Sequence, residues 1–241
     1  MATFQDYLNE LTKTNRHPIM KIEILRQDET PLSDITMDLK LEGGLNVSNE
    51  NGSRRSLSLA LDNITKQYLP DINSNFWIGT KVKLYLGLLI NEEEYLIPSG
   101  VFVMDDPSVS SNGTTQLNMI DKFSLMNGEI GGILDSILII NAGTTVYNAL
   151  KTMMTLVNDP NDIIIDSTVA SETLPYQIIK EEGGTIGDIV LEIADAFSCR
   201  VYYDANGFLV FEKDSNDATK GSTWNFTVGE NEVNYQGGNL T

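Results

Sequence analysis

The feature that constrains this chain most is a change of hydrophobic period near residue 140. Up to about residue 123, apolar and polar residues alternate. Met20, Ile22 and Ile24 alternate with Lys21 and Glu23, Met37, Leu39 and Leu41 with Asp38 and Lys40, and Leu57, Leu59 and Leu61 with Ser58 and Ala60. The pattern continues through Val82, Leu84 and Leu86, then Val101 and Val103, then Leu117 and Met119. Successive side chains of a strand point to opposite faces, so this alternation predicts strands with one buried and one wet face. Asn51-Gly52 and Asn112-Gly113 fall between such runs, and both residue types tolerate the positive φ of tight hairpin turns. Six or more successive antiparallel strands predict a barrel or sandwich. A short helix over residues 4–13, with Phe4, Tyr7, Leu8 and Leu11 on one face, precedes them and ends before Pro18.

Beyond residue 140 the period becomes helical. Val146, Leu150, Met153, Met154 and Val157 form one helix face, with Thr144 or Thr145 placed to cap it and Asp159-Pro160 to close it. Ile186, Ile189, Val190, Ile193, Ala194 and Phe197 form a second face, and Thr185 with Asp188 has the spacing of a capping box. Residues 200–213 read as a hairpin turning at Asn206-Gly207, and Trp224 to Val228 as a closing strand. The two helices align at a fixed offset, Val146 with Ile186 through Val157 with Phe197. Two amphipathic helices share such a pattern by chance, and repeat folds usually need three or more units, so chance is the reading adopted. The expected fold is mostly β with α+β: an antiparallel barrel or sandwich domain with a short N-terminal helix over 1–128, then a smaller α+β domain over 129–241. The Gly-rich stretch from Gly128 to Gly143 reads as a hinge between them.

Charge narrows the function. Sixteen basic against 34 acidic residues give a net charge of −18. Grooves that track nucleic-acid phosphates, and docking to anionic membranes, both draw on clustered Lys and Arg. The N-terminus lacks a basic and an apolar signal region, and the most apolar run, Ile133 to Ile140, is broken by Asp135 and Ser136. A span needs roughly 20 apolar residues, so no membrane insertion is expected, and synthesis is expected in a bacterial cytoplasm.

Chemistry-bearing residues are sparse. Cys199 is the single cysteine and reads as a buried thiol; His17 is the single histidine and reads as a surface or cap residue. Together they leave no usual zinc site and no Ser-His-Asp or Cys-His constellation. Gly183 to Asp188 lacks the P-loop Lys-Ser/Thr pair and reads as a turn plus helix cap. The segments at Asp159 and Asp214 begin like calcium loops but lack the completing Gly and Glu, and read as solvated loops. Asp105-Asp106 and Glu181-Glu182 read as turn and loop carboxylates rather than a glycosidase pair. A carbohydrate-binding module would need exposed aromatic pairs, whereas Trp77 and Trp224 read as core or strand residues. No catalytic, cofactor or metal residue is assigned.

The order of these pieces resembles the tail-hub family of long-tailed phages and contractile injection devices. The resembling run starts at Ser53 to Asn63 and continues through Tyr68-Leu69-Pro70, Trp77 to Gly87, Ser99 to Asp105 and Ile120 to Gly128. It resumes at Leu174-Pro175-Tyr176, the helix from Gly184 to Phe197, and the hairpin from Val201 to Phe211. The resemblance implies a trimeric ring at the virion tail tip, continuing the tail tube and carrying DNA in transit without specific binding. It implies contacts with the tail tube or distal tail protein, the tape measure, and tip or receptor-binding proteins. Hub proteins usually run longer, so the resemblance leaves two expectations, a truncated or unusually short hub or one whose further domains come from separate proteins, and does not require the first barrel to close within this chain. The alternative is the non-catalytic platform, or N-terminal part, of a tail-associated wall-degrading enzyme.

Overall fold

A computed structural model describes residues 2–69, 71, 75–111 and 113–213. The closing strand expected at Trp224 to Val228 and the segment from Asp214 lie outside these residues. The fold is mostly β, a large curled antiparallel sheet with a few helices. Helix α1 (Phe4–Leu11) starts at a capping box, in which Thr3 and Asp6 bond each other's backbone N–H groups. It lies against the sheet through Tyr7, whose ring stacks 5.2 Å from that of Tyr95.

The sheet comprises β1 (Pro18–Leu25), β2 (Pro31–Asp34), β3 (Leu39–Val47), β4 (Arg55–Asp62), β5 (Lys81–Ile90), β6 (Glu93–Val109) and β7 (Thr114–Asp121). Their spatial order is β2-β1-β5-β6-β7-β4-β3, a half-barrel with β2 and β3 at its edges. The alternating apolar residues converge on one cluster: Ile22, Ile24, Leu57, Leu59, Leu61, Val82, Leu84, Leu117 and Met119 are all buried there. Full burial of each such side chain contributes about 1.5–3 kcal/mol.

Three local expectations need correction. Met37 is 94% exposed, in a one-turn 3₁₀ segment (Thr36–Asp38) rather than a strand; Asp38, next in sequence, accepts the Tyr68 hydroxyl and holds this turn. In β6, Val101, Phe102, Val103 and Met104 are all buried, so neither face there is wet. Phe102 and Met104 face the half-barrel core, and the second unit covers Val101. The β5–β6 hairpin, which the sequence did not announce with a Gly, turns at Asn91 and Glu92 with φ of 51° and 67°.

The second unit contains β8 (Leu138–Ile140), α2 (Val146–Leu156), β9 (Ile163–Ile165), α3 (Ser167–Ala170), β10 (Ile178–Lys180), α4 (Ile186–Ala196), β11 (Cys199–Tyr203) and β12 (Leu209–Lys213). Thr145 caps α2, and Thr185 with Asp188 forms the expected capping box on α4. The hairpin β11–β12 forms as expected, and β9 adds to it in parallel. Phe123 and Met126 pack into this second core, together with both helices and the hairpin.

The stretch read as a hinge is tied down. Gly131 N and Ile130 N donate to Ser124 O, Gly187 N to Met126 O and Ile186 N to Gly132 O, at 2.7–3.2 Å. These bonds lock the chain around residues 124–134 to the N-terminus of α4. A Cβ at Gly132, where φ is +83°, would lie 2.4 Å from Met126 O, which makes glycine obligatory there.

The offset between the helices is a structural duplication, not chance. Leu134 N donates to Gly184 O, and its counterpart Leu174 N donates to Thr144 O, both at 2.9 Å. Gly183 N bonds Leu134 O while Gly143 N bonds Leu174 O, again both at 2.9 Å. Each strand–turn–helix unit thus seats its lead-in segment on the helix start of the other. The pairs Ile133↔Thr185, Ile139↔Ile179 and Thr145↔Thr173 share one register, with Ile139 and Ile179 at its centre of symmetry. Asn158 and Ser198, both at positive φ, end the two helices at equivalent places.

Candidate assembly surfaces

The groups singled out in the sequence do not converge. His17 is exposed ahead of β1, and its carbonyl accepts the Leu89 N–H. Cys199 is buried at the start of β11. Glu181-Glu182 is an exposed loop, as expected. Asp105-Asp106 is not a turn: both lie within β6, with Asp105 the extra residue of a bulge opposite Met119 and Asn118. Among the described residues, no group of three or more His, Cys, Asp or Glu could hold a metal ion, and no helix is long and apolar enough to cross a membrane.

What sequence reasoning missed is a buried ionic joint between the two units. Lys122, following β7, places its Nζ 2.5 Å from Glu29 Oε1 and 2.8 Å from Asp159 Oδ1, and donates to Gly207 O at 2.8 Å. Lys81 at the start of β5 reaches the same Glu29 oxygen at 2.7 Å. Tyr203 donates its hydroxyl to Asp159 Oδ2 at 2.7 Å, and Asn161 bridges Glu29 Oε2 and Gly207 O. Two lysines thus balance two carboxylates, which is what allows four charges to stay out of water. Asp159 itself is therefore not solvated, while Pro160 and Asp162 beside it are exposed as the loop reading expects. The Tyr203 hydroxyl is held well above its ordinary range by burial and by the neighbouring Asp159 charge. No local pattern marks these residues, because they come from five separate stretches of chain.

Around the joint, Gly52 N donates to Val201 O at 2.8 Å and Arg55 Nη1 to Tyr203 O at 3.0 Å. The Arg54 guanidinium lies 3.6 Å from the centre of the Tyr202 ring. Asp121, buried at the end of β7, is pushed upward by desolvation, which outweighs the N–H donors of Phe123 and Arg54. The Asn51-Gly52 turn therefore serves docking as well as chain reversal.

Among the described residues, two exposed apolar surfaces stand out. Trp77 is not core: it is 38% exposed, ahead of β5, in an open groove with Leu32, Ile78, Arg26 and Asp28. It is the one aromatic among the described residues lining that groove, so no aromatic pair forms there. The second surface is the outer side of the β8–β10 ribbon.

No family model matches the sequence, and no curated protein matches it by sequence. Solved structures do match. The tail protein from Neisseria meningitidis MC58 aligns over 81% of this chain and 51% of its own, at 10% identity and a TM-score of 0.51. The chain shares the fold of that tail protein. A chain of the Francisella PdpA–VgrG complex in its half-lidded form aligns over 92% of this chain and 37% of its own, at 10% identity and TM-score 0.53. The 43 kDa tail protein of prophage MuSo2 from Shewanella oneidensis aligns over 81% and 53%, at 16% identity and TM-score 0.49. This chain therefore spans about half the length of the tail proteins it matches. Alignments over 81% and 92% of the chain are longer than the half-barrel alone.

Proposed function

We propose that the chain is a non-catalytic structural subunit of a phage tail tip or baseplate hub. In this reading three copies form a ring that continues the tail tube, joins it to tip proteins, and lets DNA pass during ejection. The observation that carries it is the tail-protein fold over 81% of the chain. The match to a PdpA–VgrG complex chain supports association with other tail proteins. Two units meeting near residue 128 remain the working division. The ionic joint supports a rigid building block, because breaking a buried pair leaves an uncompensated charge. An acidic chain suits a lumen that lets duplex DNA slide, since phosphate binding draws on clustered cations.

The test is to label particles of the phage that encodes this chain with gold-tagged antibody against it, and to image the tail by cryo-electron microscopy. Label at the tail tip and three copies per ring are expected. Label along the whole tube, label on the capsid, or two or six copies at that level would defeat the reading.

A further inference from the structure

We infer that the outer side of the β8–β10 ribbon is a docking face for a basic, amphipathic segment of another protein. Leu138, Ile140 and Ile178 turn inward to the second core. The alternate residues turn outward, and Ile139 and Ile179 sit directly opposite each other in the ladder. Ile137, two residues before Ile139, extends the row, and Ile133 lies earlier in the lead-in to β8, beyond a bend at Asp135 and Ser136. Exposures of 58%, 61%, 52% and 56% for Ile133, Ile137, Ile139 and Ile179 are high for large aliphatic side chains on the ribbon and its lead-in. Grouped exposed apolar side chains with a polar rim are the usual mark of an interaction site, whereas single scattered ones are not. Inner-face packing alone does not require isoleucine on both faces of the ribbon.

The rim chooses the occupant. Asp135 lies between Ile133 and Ile137, and Glu181 and Glu182 follow β10; all three are exposed. The cation of β10, Lys180, is paired with Asp188 at 3.0 Å. A second copy seated here would bring these carboxylates against their own equivalents, within the roughly 8–10 Å over which charges act at physiological salt. A partner with an apolar stripe flanked by Lys or Arg covers the isoleucines and neutralises the rim.

The test uses the isolated full chain and two synthetic amphipathic peptides with the same leucine stripe, one with Lys and one with Glu on the polar face. Calorimetric titration should show the Lys peptide binding about tenfold or more tightly than the Glu peptide. Ile139→Thr with Ile179→Thr should abolish binding while the melting temperature stays close to that of the parent, because both side chains face water and a Thr–Thr pair suits opposed strand positions. A Lys peptide with serine in place of leucine should not bind; equal binding by it would reduce the effect to bulk charge attraction and overturn the inference. Concentration-dependent dimerisation lost in the same double variant would assign the face to a second copy and overturn it too. Failure of the Lys peptide to bind overturns it equally.

Discussion

Lys122 Nζ stands 2.8 Å from Asp159 Oδ1, and neither side chain is exposed to solvent. The two residues belong to different units, one following the last strand of the half-barrel and the other in the turn between α2 and β9. The contact is therefore both an ion pair and the place where the relative position of the units is set. Desolvation makes a buried pair a weak source of net stability but a strong constraint on geometry, because any displacement exposes its cost.

Asp159→Asn is expected to destabilise the chain by about 3 kcal/mol, and Lys122→Met by a similar amount, since each leaves an unbalanced charge buried with Glu29 and Lys81. The double variant restores the charge balance. It should cost less than the two single losses together, with a coupling of about 1–3 kcal/mol. Denaturant unfolding of all four proteins measures this, and strict additivity would refute the joint.

Gly207 tests the same contact by shape. Its φ is +86°, and an added Cβ would lie 2.8 Å from Val101 Cγ2 on β6 and 3.2 Å from Glu29 Oε2. Gly207→Ala combines backbone strain of about 1 kcal/mol with overpacking of about 1–3 kcal/mol. Gly143, at φ +82°, has nothing within 4 Å of its ideal Cβ, so Gly143→Ala carries the strain alone. Thermal melts should place Gly207→Ala clearly below Gly143→Ala; equal losses would mean that the units do not pack at this point.

The sequence carries most of what depends on near neighbours, apart from the 3₁₀ turn at Met37 and the Asn91-Glu92 hairpin turn. Period two marked the strands whose apolar rows fill the half-barrel, and Thr185 with Asp188 marked the start of α4. It misleads where a distant segment supplies the environment. Val101 is covered by Gly207 of the other unit, and Asp159 reads as solvated in sequence because Lys122 is remote. The duplication was visible in the spacing of Val146 and Ile186 but carried no weight until the reciprocal hydrogen bonds of Leu134 and Leu174 were seen. Trp77 looked like core because aromatics usually are, and nothing local reveals the open groove it lines.

The duplication makes a comparative prediction at its two helix ends. Asn158 and Ser198 both hold left-handed backbone, with φ of 53° and 51°. Asparagine tolerates this conformation better than serine, and glycine tolerates it best. Ser198→Gly should therefore stabilise by about 0.5–1 kcal/mol, while Asn158→Gly should stay close to neutral. A larger gain at Asn158 in denaturant unfolding would show that the two ends are not equivalent.

Alkaline pH should unfold the half-barrel through two tyrosines. Burial, reinforced by the Asp38 carboxylate, pushes Tyr68 up to about 12. Burial together with Glu23, whose Oε2 accepts the Tyr85 hydroxyl at 3.1 Å, pushes Tyr85 up to about 12 as well. In both, folding favours the protonated phenol, so the unfolded chain gives up these protons first as pH rises. Their contribution is fully present below about pH 10, the ordinary tyrosine value, and is lost as pH rises through about 12. The melting temperature should fall across that window, and Tyr85→Phe should make the fall shallower because one of the two linked protons is gone. Absorbance of the tyrosinate band offers a second readout: Tyr68, Tyr85 and the buried Tyr203 should ionise later than the exposed tyrosines in the native protein, and Tyr85→Phe should remove one of these late ionisations. If all tyrosines titrate together near pH 10 while the chain remains folded, the carboxylate pairing of Tyr68 and Tyr85 is wrong.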